Sequence, residues 1–423
     1  MIKRAALNFG LKVLGGGVGI LATALASRNM TSVDYGTLAA LLSYCSLVGG
    51  LTAFGGDHFF KKYFGERSFE SISPVLVILV FTQIAVIACI FGFLSRVWAG
   101  GVSNTIQVVL LCTLLIFCTA GQRSCGGSLI GMGYANFEAF LTALIRPAMV
   151  VSVLLTFIFE VIPVSESFSI TDVLSAQLAG FLLVLILAVI IIFNSIRSKR
   201  STEYGSSINY HGLRGYLRYV RESVPMTIVG ANGLIERNID TLMLASLSGA
   251  ENAGTYFIVT RVSVLAMMPL QALNATNTRK ISQILRTNDS HRLKIVCKKM
   301  SVYSACVVSV VLIVAAFKGS VLLAYFGEQY QHALFPLLLL LFSWLLRSMM
   351  GPVNLVAVLA NYSDRAAKTA SVSLVANFAL NVILIPAFGI YGAIISTVVT
   401  RLGRTLFLSF FLQRKLGVKV GIL

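Results

Sequence analysis

Charge is scarce in this chain. Only 12% of its 423 residues are Asp, Glu, Lys or Arg, whereas soluble globular domains carry about a quarter. With 57% hydrophobic residues and a mean hydropathy of +0.85, a soluble globular protein is excluded. Acids are scarcer than bases, 16 against 34. The bases lie mostly in loops between apolar runs rather than on a face interleaved with aromatics, so nucleic acid is not the partner. The seven cysteines, Cys45, Cys89, Cys112, Cys118, Cys125, Cys297 and Cys306, form no CxxC pair and mostly fall inside apolar runs. Neither a disulfide nor a metal site follows from them. His58, His211, His291 and His332 lack ligand spacing. Long polar loops are also missing: Glu160 to Thr171 and Gly319 to His332 are about a dozen residues each. That argues against a polytopic glycosyltransferase or polymerase, which needs an external site, and no paired-carboxylate motif stands out. An enzyme is therefore not expected, and no cofactor is needed.

What is present is a series of twelve apolar runs, each near the roughly 20 residues that cross a bilayer as a helix. They lie at about 7–27, 37–56, 72–95, 104–121, 137–159 and 172–194, then 223–248, 253–275, 301–318, 333–360, 368–388 and 391–412. The pattern predicts an all-α polytopic membrane protein with two six-helix halves, 1–194 and 223–423, and a basic linker at 195–222. The linker holds Arg197, Lys199, Arg200, Arg214, Arg218 and Arg221 against Glu203 and Glu222. From His211 to Arg221 it reads as a short amphipathic helix, with Leu213, Tyr216, Leu217 and Val220 on its apolar face. It suits an anionic membrane surface or a solvated linker, and both place it in the cytoplasm.

Orientation follows from the loops. With both termini inside, the cytoplasmic side holds 24 lysines and arginines, and the opposite side only Arg28, Arg96 and Lys318. The outer loops lean acidic instead, with Asp34, Glu160, Glu166, Asp172, Glu251 and Glu328. The first 27 residues have a basic start, an apolar stretch and Ala-x-Ala triplets at Ala22 to Ala26, features shared with signal peptides. Against cleavage, Leu25-Ala26-Ser27 recurs as Leu244-Ala245-Ser246 at the end of the seventh span. An acid (Asp34, Glu251) and Gly-Thr (Gly36-Thr37, Gly254-Thr255) follow each copy, with Tyr35 and Tyr256 beside them. Six spans separate the copies, so the repeat is parallel, with a pseudo-two-fold axis along the membrane normal.

These segments, together with Glu236-Arg237-Asn238-Ile239-Asp240, Tyr325 to Tyr330, and the run Asn377, Leu380-Asn381, Leu384-Ile385-Pro386, Gly389, Tyr391-Gly392-Ala393 and Thr397, resemble the polysaccharide synthase family. These are the Wzx-type flippases of lipid-linked O-antigen repeat units, in the multidrug/oligosaccharidyl-lipid/polysaccharide exporter superfamily. The resemblance covers nearly the whole chain. It implies transfer of an undecaprenyl-pyrophosphate-linked oligosaccharide across a bacterial inner membrane by alternating access, and contact with the polymerase of the same pathway. A drug or cation exporter of the same superfamily is the alternative. Organic cations call for surplus acid, which the spans do not have.

The charges inside the spans bear most directly on function. Lys12, Arg146, Arg237, Arg261, Arg347, Arg401 and Arg404 are opposed by Glu236 and Asp240, with Glu138 near a boundary. At bilayer depth each costs roughly 2.5 to 3.5 kcal/mol. They are expected to face a watery cavity between the halves that attracts anions. Guanidinium groups suit phosphate because their planar donors take two oxygens at once. Lys12, Arg146, Arg237, Arg261, Arg347 and Arg401 are the candidate substrate cations, while Arg404 lies near enough to the inner surface to snorkel. Lys12 shares its helix face with Asn8, Gly15, Gly16 and Gly19, which either makes room for a ligand or packs against another helix. Arg347 shares a face with Ser343, Gly351 and Asn354 on a span broken at Pro352, and Arg146 precedes Pro147; interrupted helices of this kind often build transporter sites. Arg261 has no acid at helical spacing in its own span. Ser373, Asn377 and Asn381 recur every four residues, a polar stripe for a cavity or a neighbouring helix. Pro386 is expected to stop that helix, with Gly389 and Gly392 turning the chain into the next span. Glu236, Arg237 and Asp240 share one face of span seven, either as a self-satisfied ion cluster or as a site coupling transport to a proton or sodium ion.

Overall fold

A computed structural model of the protein describes residues 2–66, 74–97, 105–159, 168–199, 212–287, 289–418 and 420–422. The protein is an all-α polytopic membrane protein. Its first half contains α1 (Ile2–Arg28), α2 (Ser32–Thr52), the short α3 (Gly56–Glu66), α4 (Pro74–Leu94), α5 (Thr105–Gly131), α6 (Ala135–Ala139), α7 (Arg146–Ile158) and α8 (Ile170–Lys199). The second contains α9 (Gly212–Leu247), α10 (Ala250–Ser263), α11 (Met268–Arg286), α12 (Ser290–Ala324), α13 (Leu334–Met350), α14 (Val353–Leu359), α15 (Ser363–Phe388) and α16 (Ile390–Leu416). Among the described residues, 11 stretches are long and apolar enough to span a membrane. The predicted seventh span is not among them, although the 36 residues of α9 are ample for a crossing. Glu236, Arg237 and Asp240 lower its hydropathy.

Three predicted spans are each built from two helices, and a proline marks every break. Between α6 and α7 the chain widens into a π-turn over Phe140–Ile145, just ahead of Pro147, which has no N–H to donate. A 3₁₀ turn, Val264–Met267, leads into Pro269 at the start of α11. Gly351, at φ +80°, and Pro352 separate α13 from α14. The positive φ at Gly351 is readily reached only without a Cβ.

Two compact units form, one of Gly10–Asn238 and one of Ile239–Leu423 with Met1–Phe9. Their boundary falls inside α9. Residues 200–211 of the predicted linker lie outside the described residues. From Gly212 the chain is already helical and runs unbroken into the seventh span, so the amphipathic segment is the first part of a longer helix. Tyr216 and Val220 of its apolar face pack on protein. Tyr219 is 0% exposed and sets its ring edge-on to Phe59, with centroids 4.9 Å apart. The Tyr216 hydroxyl donates to Gln83 Oε1 at 2.9 Å. Phe60, Phe64, Val80, Ile84 and Ala120 complete this core across α3, α4 and α5. Leu217, expected on the same face, is 58% exposed. In the other unit the main core joins α11, α12, α14 and α16 with Val418 and Val420 of the C-terminal segment. The Ile422 N–H fastens that segment to the Met349 carbonyl at 2.8 Å.

Candidate ion site and the in-membrane cations

Asp240 lies on α9, about two turns before the helix ends at Leu247. The tight turn at Gly249, with φ +96°, starts α10 and brings Tyr256 back alongside it. Tyr256 donates its hydroxyl to Asp240 Oδ2 at 2.7 Å, and Thr397 of α16 donates to the same oxygen at 2.6 Å. Asn381 of α15 gives Nδ2–H to Asp240 Oδ1 at 2.7 Å and to Asn377 Oδ1 at 3.2 Å. Asn377 in turn donates to Thr397 Oγ1 at 3.4 Å. The carboxylate is 4% exposed and Asn381 0%.

The α15–α16 hairpin that holds these partners depends on two glycines. Gly389 has φ +54° and ψ −128°, a conformation that side chains avoid. At Gly392 a Cβ would run into the backbone of Leu384, so the absence of a side chain lets the two helices meet closely. Pro386 does not stop α15 as expected. It lies in the last turn, where a missing N–H costs only one backbone bond, and the helix ends at Gly389. The polar stripe continues outward through Ser373, whose hydroxyl bonds the Thr400 carbonyl at 3.0 Å.

An ionised carboxylate only accepts, and here three donors converge on one. Each such bond to a charged acceptor contributes roughly 1.5 to 3 kcal/mol. Among the described residues Asp240 makes no ion pair, so the self-satisfied cluster with Arg237 is not what forms: Arg237 is exposed while Asp240 is buried. Asn381 Oδ1, also buried, meets no donor among the described residues. A buried negative charge beside an orphan carbonyl oxygen, with further oxygens at Asn377 and Thr397, fits a proton or a hard monovalent cation, which prefers oxygen ligands.

No family model matches the chain. A 217-residue stretch is 24% identical to the probable low-salt glycan biosynthesis flippase Agl15 of Haloferax volcanii, spanning 50% of this chain and 44% of that protein. The chain therefore matches less than half the length of this curated relative. Among solved structures, the lipid II flippase MurJ in an inward closed conformation superposes with a TM-score of 0.71 at 14% identity, over 98% of this chain and 88% of that one. An inward-facing multidrug resistance MATE family transporter of the MOP superfamily gives 0.62 at 14% identity, over 99% and 95%. The chain shares its fold with these two structures.

On this fold the predicted sites separate into two kinds. Asn377, Asn381 and Asp240 come together, with Tyr256 and Thr397, which the sequence reading quoted in motifs without assigning a role. Of the cations, several lie over aromatic rings, a geometry that binds cations by the ring quadrupole. Arg146 lies over Phe181 at 4.8 Å, Arg261 over Phe257 at 4.7 Å, and Arg401 over Trp344 at 4.4 Å. Arg347 donates to Thr405 Oγ1 at 3.0 Å. Arg261, Arg237 and Asn354 are exposed, and Glu236 is half-buried. The side chain of Asn8 lies outside the described residues. Lys12 is exposed, and it and Arg146 both act electrostatically on Glu138, which accepts from Thr142 Oγ1 at 3.2 Å. On the glycine face of α1, a Cβ on Gly15 would strike the Ala143 backbone, the close helix packing that was one of its two expected uses, whereas Gly19 faces open space.

Proposed function

We propose that this protein is a flippase that moves an undecaprenyl-pyrophosphate-linked oligosaccharide repeat unit, an O-antigen unit, across a bacterial inner membrane by alternating access, with both termini in the cytoplasm. The observation that carries the reading is the surplus of base on the membrane spans. Lys12, Arg146, Arg237, Arg261, Arg347 and Arg401 outnumber Glu138, Glu236 and Asp240 there. A diphosphate headgroup needs such cations, and guanidinium groups take its oxygens in pairs. The sequence similarity to a glycan biosynthesis flippase supports the same reading. The polyprenyl tail stays in lipid, and no bond is made or broken, so no catalytic residue is required.

Asp240 is the coupling carboxylate in this account. Its charge, the orphan Asn381 Oδ1 and the Asn377 and Thr397 oxygens hold a proton or sodium ion, and ion occupancy favours one conformation of the transporter over another. Glu236, one turn earlier on α9, is the second candidate. The MATE-like fold supports a second reading, export of drugs or organic cations. Purified protein in proteoliposomes separates the two. Transfer of a polyprenyl-diphosphate saccharide across the bilayer supports the flippase, whereas transfer of an organic cation with the saccharide left in place supports the exporter.

A further inference from the structure

Between α2, α5, α7 and α8, wholly within the Gly10–Asn238 unit, lies a cavity of about 190 Å³. Its polar lining is Ser46, Thr119, Gln122, Arg123 and Arg146, with Phe181 under the Arg146 guanidinium. Among the described residues no Asp or Glu lines it. Gln122 is 6% exposed, and its Nε2 amide has no acceptor among the described residues. A buried donor left without an acceptor is costly, so it signals a missing partner. Arg123, the next residue on α5, places one N–H on Asp57 Oδ2 at 3.4 Å, and a guanidinium has five. The face of the Arg146 guanidinium stacks on Phe181. Gly180 on α8 permits the position, because a Cβ there would come within 2.9 Å of the Arg146 carbonyl oxygen.

Two guanidinium groups and an orphan amide on a small cavity, with no carboxylate among the described residues that line it, select an acceptor-rich anion. Its volume equals that of about six waters, each taking roughly 30 Å³ in the liquid. That admits a phosphoryl or diphosphate group. We infer that the N-terminal half has its own oxyanion seat, in which Gln122, Arg123 and Arg146 hold a phosphoryl group: the guanidinium charges select an anion, and the Gln122 amide adds a donor to it. The inference rests on the flippase reading for the source of that group, the diphosphate of a polyprenyl carrier. The shared chemistry extends to free diphosphate.

The test uses the full-length protein in detergent, with inorganic pyrophosphate as probe, measured by calorimetry and by thermal unfolding. Wild type binds pyrophosphate and is stabilised by it. Gln122→Leu, which removes an unpartnered amide at similar size, raises the melting temperature without anion and weakens pyrophosphate binding at least tenfold. Gln122→Met serves if the leucine variant does not fold. Displacement of pyrophosphate by polyprenyl diphosphate identifies the carrier headgroup as the source; binding without displacement assigns the seat to free diphosphate. Unchanged pyrophosphate affinity in the Gln122 variants, or no binding to wild type, overturns the seat. That failure would leave the flippase reading intact, because saccharide transfer in proteoliposomes is scored separately.

Discussion

Asn381 donates an amide hydrogen to Asp240 at 2.7 Å across 141 residues of sequence. This one bond ties the α15–α16 hairpin to the end of α9, and the same carboxylate binds Tyr256 and Thr397. A single charge thus collects three helical segments besides its own. Asp240→Asn keeps the shape and removes the charge. Transport by this variant in proteoliposomes should fall at least tenfold and no longer respond to an imposed proton or sodium gradient. An unchanged response would remove Asp240 from coupling.

The donors around Asp240 are predicted to contribute to stability. Thr397→Val and Tyr256→Phe each delete one hydroxyl that bonds a charged acceptor, at a cost of about 1.5 to 3 kcal/mol. Asn354→Ala, on an exposed position, should stay within about 0.5 kcal/mol. Thermal unfolding in detergent ranks the three, and equal melting temperatures would contradict the network.

Two glycines on α1 should respond in opposite directions. At Gly15 any side chain must displace the Ala143 backbone, so Gly15→Val should destabilise the first half by about 1 to 3 kcal/mol or more. Gly19 has open space, and Gly19→Ala should gain roughly 0.5 to 1 kcal/mol from helix entropy. If both substitutions lower the melting temperature equally, α1 does not pack at Gly15 as described.

Tyr219 anchors the start of α9. Truncation to alanine empties a site in the aromatic core and should cost about 3 kcal/mol or more. Burial pushes its phenol above the usual range. An unfolded tyrosine releases its proton near pH ~10 while the folded one keeps it, so this contribution is complete below that pH and declines as pH rises toward the folded value. Tyr219→Phe should therefore lose stability less steeply above pH ~10 than wild type, as read by unfolding across an alkaline series.

The spans were legible because length and apolarity alone define a membrane helix, and two of the three broken ones announced themselves by Pro147 and Pro352, whereas the break at Pro269 was not foreseen in the run 253–275. The stripe of Asn377 and Asn381 was legible from four-residue spacing. Its destination was not, since nothing within α15 specifies which distant helix supplies the charge. Spacing also placed Arg237 on the face of Asp240, yet burial separates them, because a helix face does not reveal where the protein core ends. Tyr219 escaped the amphipathic reading of Leu213, Tyr216, Leu217 and Val220 for a related reason: positions three and four apart both continue a helical face, and packing chose Tyr219 over Leu217. Gln122 gave no sequence signal, since an amide inside an apolar helix is usually partnered.

The flippase reading itself is tested most directly in the native host. With the gene deleted, mass spectrometry of the inner-membrane lipids should show one complete polyprenyl-diphosphate-linked oligosaccharide accumulating on the cytoplasmic leaflet, and its sugars would identify the substrate. No such accumulation, together with increased sensitivity to cationic drugs, would contradict the account and make the protein an exporter.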